Sequence, residues 1–154
     1  MTVTPERIGR LKAAAFFIEL AAGAGATVPI RSDSDIVTAR QQGRALASQI
    51  GFSSTEATLI ATAISELARN IVLYAEHGEI FLMALEDGQR RGLLVRAEDH
   101  GPGILDVGGA TAGGYSTSGG LGLGLSGVKR LMDEFDIASR IGQGTTVTVV
   151  KWKE

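Results

Sequence analysis

One helical run constrains this chain more than any other stretch. It is centred on Ser65-Glu66-Leu67-Ala68-Arg69-Asn70. On a helical wheel Ile60, Ala63, Ile64, Leu67, Ala68, Ile71, Val72 and Tyr74 form a broad apolar arc, which a helix needs when it lies against a core. Ser53 and Glu56 have capping-box spacing and start the run; it is expected to reach about His77, with Gly78 at its C-terminal end. Glu66 and Asn70 are four residues apart, so they project from one face, at the edge of the apolar arc. That edge is the lip of the core, where a pocket can form. A carboxylate there can take a proton, and an amide oxygen can hold a hard cation. Taken alone, the pair reads as polar residues at a core boundary.

The flanking segments supply the rest of a two-layer domain. Val28 to Arg31 reads as a short strand. Ser32 caps a helix over residues 33–50, with Ile36, Ala39, Ala45, Leu46 and Ile50 inward, and Gly51 ends it. Ile80 to Leu85 and Leu93 to Ala97 read as an antiparallel hairpin around Asp87-Gly88 and Arg90-Arg91-Gly92. A loop with a helical turn near residues 105–112 leads to a third helix, Leu123 to Phe135, carrying Val128, Leu131 and Met132 inward. Phe135 to Arg140 and Thr145 to Trp152 form a last hairpin around Gly142-Gln143-Gly144. This order predicts an α+β sandwich with helices on one face of a mostly antiparallel sheet. Residues 1–27 stand apart as an N-terminal extension; Leu11 to Leu20 could form a helix there, either weakly docked, or binding a partner or a membrane surface, with few charges on its polar face to favour the last.

Two glycine clusters follow the central helix. Asp99-His100-Gly101-Pro102-Gly103 ends an apolar strand, and a carboxylate there can accept a hydrogen bond from an exocyclic amine while the glycines let a base lie against backbone. Gly119-Gly120-Leu121-Gly122-Leu123-Gly124 leads directly into a helix, so its backbone N–H groups and the helix's positive end can approach phosphates. Separately, these also describe an Asp-Gly turn and a surface loop. Gly122-x-Gly124-x-x-Gly127 matches the dinucleotide fingerprint in letters only, because a loop and not a strand precedes it. No Gly-x-x-x-x-Gly-Lys-Ser/Thr loop and no protein-kinase His-Arg-Asp or Asp-Phe-Gly is present.

Composition removes other classes. The chain of 154 residues suits one domain, and its net charge of −2 does not favour nucleic-acid binding. With no cysteine there is neither a thiol nucleophile nor a disulfide framework, which fits a cytoplasmic location. Glu19 interrupts the apolar stretch Ala13 to Ala26, against a signal peptide, and no run is long enough for a membrane span.

Taken together, Glu66 with Asn70, Asp99-x-Gly101-x-Gly103, Gly120-Leu121-Gly122-Leu123-Gly124 and Gly142-x-Gly144-Thr145 occur in an order that resembles the GHKL (histidine kinase-like) ATPase superfamily. The resemblance spans about Ile30 to Trp152. Ser65 to Ile71, Ala97 to Ile104, Gly114 to Gly122 and Gly127 to Phe135 look closely like the RsbT-type switch kinases of the bacterial stressosome. The resemblance implies a Bergerat-type sandwich over residues 28–154, with a mixed, mostly antiparallel sheet. It implies ATP and Mg²⁺ as cofactors, Asn70 as the Mg²⁺ ligand at the phosphates and Glu66 as the general base. Asp99 would bind the adenine amino group, Gly101, Gly103 and Thr145 would build the base pocket, and Gly113 to Gly124 would form a short lid with Gly120, Gly122 and Gly124 at the phosphates. It further implies a serine/threonine-protein kinase that phosphorylates a STAS-domain protein and then activates a PP2C-type phosphatase. The alternatives are an anti-sigma factor that sequesters a sigma subunit, a non-catalytic, nucleotide-gated adaptor and, third, a detached histidine-kinase catalytic domain. Leu105 departs from the family, whose members often have proline there, and the extension has no counterpart in it.

Overall fold

Capping residues and strand alternation divide the chain into helical and sheet layers. The computed structural model describes residues 25–104 and 124–153. β1 (Ala26–Ile30) leads into α1 (Asp33–Ile50) and α2 (Ser54–Tyr74). β2 (Gly78–Asp87) and β3 (Arg90–Asp99) follow, then α3 (Gly124–Leu131), β4 (Glu134–Arg140) and β5 (Gly144–Trp152). The expected helix at Leu11 to Leu20, the turn near residues 105–112 and most of the second glycine cluster lie outside the described residues.

Both long helices begin as their caps dictate. The Asp35 carboxylate accepts the backbone N–H groups of Arg31 and Ser32 at 2.8 and 3.1 Å. At α2, Ser53 Oγ accepts from Glu56 N at 3.1 Å while Glu56 Oε1 accepts from Ser53 N at 3.2 Å, a reciprocal pair that satisfies two otherwise orphaned donors. α1 buries Ile36, Ala39, Gly43, Ala47 and Ile50. Ala45, expected inward, is exposed, and Ala47 takes its place. The reason is Gly43: the space its Cβ would fill is occupied by the Ile64 side chain of α2, and Ala45 lies almost opposite Gly43 on the helix.

α2 stops three residues short of His77. Its cap is Ala75, and Glu76 adopts φ +69°, which breaks the helical path. Gly78 therefore opens β2 and does not cap the helix. A side chain there would strike the Glu98 carbonyl of β3, so the position requires glycine. Tyr74, placed in the apolar arc by its spacing, is 45% exposed at this frayed end. α3 also ends early, at Leu131, because Asp133 is drawn to β5: its N–H donates to Val150 O at 2.9 Å, and its carboxylate accepts from Trp152 N at 2.6 Å. Phe135 thereby joins β4.

The five strands run in the order β1-β2-β3-β5-β4, and every pairing is antiparallel. β1, with Pro29 in it, and the charged β4 are the edge strands. Ile80, Leu82, Val95, Val147 and Val149 point to the helices and meet Ile60, Ile64, Leu67 and Ile71 in one core. Each such fully buried side chain contributes about 1.5–3 kcal/mol. The opposite face of the central strands is closed as well: Phe81, Met83, Leu94, Arg96, Val150 and Trp152 are at most 5% exposed. There Arg96 stacks over Phe81 at 4.6 Å and Arg90 over Trp152 at 3.8 Å.

Candidate functional site

The centre of the site is a carboxylate fixed by backbone. Asp99 ends β3, paired with Gly78. Its Oδ1 accepts the N–H of Gly101 at 2.9 Å and the N–H of Thr145 at 3.3 Å. The first bond closes an Asx turn over the glycine loop; the second ties that loop to β5. Among the described residues, Oδ2 receives no hydrogen bond. The carboxyl group thus has a set orientation and one oxygen left to accept from a ligand N–H.

Three glycines let the walls close around it. A Cβ on Gly101 would lie 2.6 Å from Ala75 Cβ and 3.2 Å from the Tyr74 carbonyl, so the loop lies directly on the end of α2. Gly103, at φ +82°, faces the Arg140 carbonyl, and Gly144, at φ +117°, packs on the Asp99 carbonyl and His100 Cα. Gly142 N donates to Pro102 O at 2.8 Å, fastening the β4–β5 turn to the same loop. Asp99, Gly101, Gly103 and Thr145, singled out from the sequence, are therefore brought together.

Ser139 belongs to this cluster and was not singled out. Its hydroxyl accepts Ile104 N at 2.8 Å, donates to Gly144 O at 3.3 Å and shares a 2.8 Å bond with Thr145 Oγ1. The signal for it is the register of the last hairpin, in which Ser139 faces Thr145 across the strands.

Glu66 and Asn70 share one face of α2. Asn70 is half-buried, five residues before the Ala75 contact with Gly101, or about 7.5 Å along the helix axis. Glu66 is 7% exposed, and its Oε1 accepts from Arg69 Nη1 at 3.1 Å. The arginine side chain is 41% exposed, so this ion pair contributes little to stability; among the described residues Oε2 receives no hydrogen bond and can accept a proton. α3 packs Leu125 and Val128 into the core beside α2. Gly124, at φ +66°, opens it and presents the unpaired N–H groups of a helix start. Gly120 and Gly122 lie outside the described residues. A shallow cavity of about 270 Å³ lined by Leu46, Ile50 and Arg91 among others includes none of the candidate site residues.

Residues 30–151 match the model of the histidine kinase-like ATPase domain. The chain is 52% identical over 125 residues to the serine/threonine-protein kinase RsbT of Bacillus subtilis, an alignment covering 81% of this chain and 94% of that protein. It is 30% identical over 120 residues to the anti-sigma F factor of Anoxybacillus flavithermus, covering 73% of this chain and 81% of the other. Among solved structures it is similar to the RsbU and RsbW domains of a Mycobacterium tuberculosis protein, with a TM-score of 0.60 and 19% identity. That match covers 86% of this chain, which spans about a third (34%) of the longer one. No helix among the described residues is long and apolar enough to cross a membrane.

Proposed function

This chain belongs to the histidine kinase-like ATPase family, and from that premise we propose that it is a serine/threonine-protein kinase working as a partner switch. It transfers the γ-phosphate of ATP to a serine or threonine of a STAS-domain protein, then engages and activates a PP2C-type phosphatase. The observation that carries the kinase reading is the 52% identity, over most of both chains, to a serine/threonine-protein kinase.

The residues fit the roles. Asp99 Oδ2 accepts an N–H of the adenine 6-amino group; guanine would present a carbonyl oxygen to the same carboxylate and be repelled. Gly101 and Gly103 provide backbone for the flat base, with Thr145 N–H and Ser139 holding the pocket's far wall. Asn70 offers one amide oxygen, and no group of three or more metal-binding side chains exists among the described residues. That donor set suits Mg²⁺, which is held mainly by phosphate oxygens and water. When bound, Mg²⁺ neutralises charge on the phosphates. Glu66 takes the proton of the attacking hydroxyl as its oxygen bonds to the γ-phosphorus; the bond to the β–γ bridging oxygen breaks, and ADP leaves with that electron pair. Gly120, Gly122 and Gly124 supply backbone N–H donors to the phosphates, Gly124 from the start of α3.

The test is phosphate transfer. Purified protein, Mg²⁺ and labelled ATP are mixed with candidate STAS-domain proteins, beside Glu66→Gln. Acid-stable label on one partner is expected, and the variant should lose roughly 10²–10⁴ in rate while binding ATP normally. Equal loss of transfer and binding would make Glu66 structural. The 30% identity to an anti-sigma factor supports a second reading. In that case no label transfers, and a sigma subunit is retained in a nucleotide-dependent pull-down.

A further inference from the structure

The sheet has two buried faces, but the described helices account for only one. Phe81, Met83, Leu94, Arg96, Val150 and Trp152 alternate along their strands with Ile80, Leu82, Val95 and Val149, which enter the helical core. The six therefore point away from α1, α2 and α3. A bare sheet face carries polar, wetted side chains. Here Phe81, Met83, Leu94, Val150 and Trp152 are apolar, Arg96 is buried among them, and Leu94 and Val150 are 0% exposed. Burial this complete needs a second layer, and no described residues supply one.

We propose that residues 1–24 of the same chain are that layer, packed as a helix across β2, β3 and β5. Three observations select this occupant. The first is where the segment ends. A Cβ on Gly25, just before β1, would collide with the Phe81 ring, so the chain enters β1 at the margin of the buried patch. The second is its pattern. From Leu11 to Ala22 only Lys12 and Glu19 are polar; seven residues apart, they fall on one narrow stripe, and the rest of the circumference is apolar. The face opposite that stripe, which includes Phe17, is wholly apolar and suits one-sided packing on a sheet. Twelve residues span about 18 Å, enough to cross three strands about 4.8 Å apart. The third is elimination of residues 105–123, the other stretch outside the described residues. Its flanks, Ile104 and Leu125, both pack on the helix-side core, across the sheet from this face.

Two properties make the test direct: Trp152, the only tryptophan, lies on this face, and the chain has no cysteine. A fluorescent energy acceptor is attached to full-length chain through Glu19→Cys, on the polar stripe. Trp152 emission should fall by more than half, independent of protein concentration. A labelled chain also carrying Trp152→Phe, mixed with unlabelled wild type, should show no transfer. Transfer in that mixture would mean that a second copy covers the face and would overturn the proposal. So would absence of transfer with Trp152 still shielded from acrylamide. Phe17 lies opposite the Lys12–Glu19 stripe and Phe16 beside it. Phe17→Asp should raise acrylamide quenching of Trp152 several-fold, and Phe16→Asp much less; equal effects would contradict the helix orientation. If Phe17→Asp fails to fold, the energy-transfer result decides alone.

Discussion

Asp99 is held by two N–H donors on one oxygen, so its other oxygen keeps a fixed pose, the one proposed above to accept from adenine. Asp99→Asn keeps the shape and can keep those two bonds through its amide oxygen. It then turns an NH₂ toward the adenine amine, donor against donor. ATP affinity is expected to fall about 10- to 100-fold, matching a lost hydrogen bond of roughly 1–3 kcal/mol. Calorimetric titration measures this, and an unchanged affinity would put the base elsewhere. Asp99 was legible in the sequence because an acidic residue at the end of an apolar strand, followed by glycines, is a local pattern. Ser139 was not, since its partners Ile104 and Thr145 become neighbours only when the hairpin register is known. Gly78 was visible but misassigned: both a helix end and a crowded strand start favour glycine, and only the nearby Glu98 carbonyl distinguishes them.

At the scale of elements, helix starts could be read and helix ends could not. Starts are written in side chains, as with Ser53 and Glu56. The ends of α2 and α3 are imposed from outside, by the strand pairing of Gly78 and by the hold of β5 on Asp133. The inward face of α1 shows the same limit. Its stripe turns on Gly43, a residue that carries no hydrophobic signal but admits the Ile64 side chain. Gly43→Leu should overpack this contact and cost about 1–3 kcal/mol in chemical denaturation, with ATP affinity retained. Wild-type stability would mean that the gap between α1 and α2 has slack.

Over the whole molecule, the layered α+β class was legible from element order, whereas the sheet order β1-β2-β3-β5-β4 was not, because nothing local states which hairpin edge joins β3. The candidate base pocket joins the end of β3, the end of α2 and the β4–β5 turn. A nucleotide seated there stabilises all three together. A non-hydrolysable ATP analogue at about 100 times its Kd should add about 2.7 kcal/mol, raising Tm by roughly 5–10 °C in scanning calorimetry. Asp99→Asn at the same ligand concentration should show much less of that rise. The sheet's margins carry a different consequence. Pro29 has no N–H to offer on one margin, and Glu134, Asp136 and Arg140 charge the other. Both margins thus resist an incoming β-strand, by the devices that keep open sheets from growing into fibrils. For the partner switch proposed above, these margins disfavour recognition by strand addition and leave helix faces and loops for it.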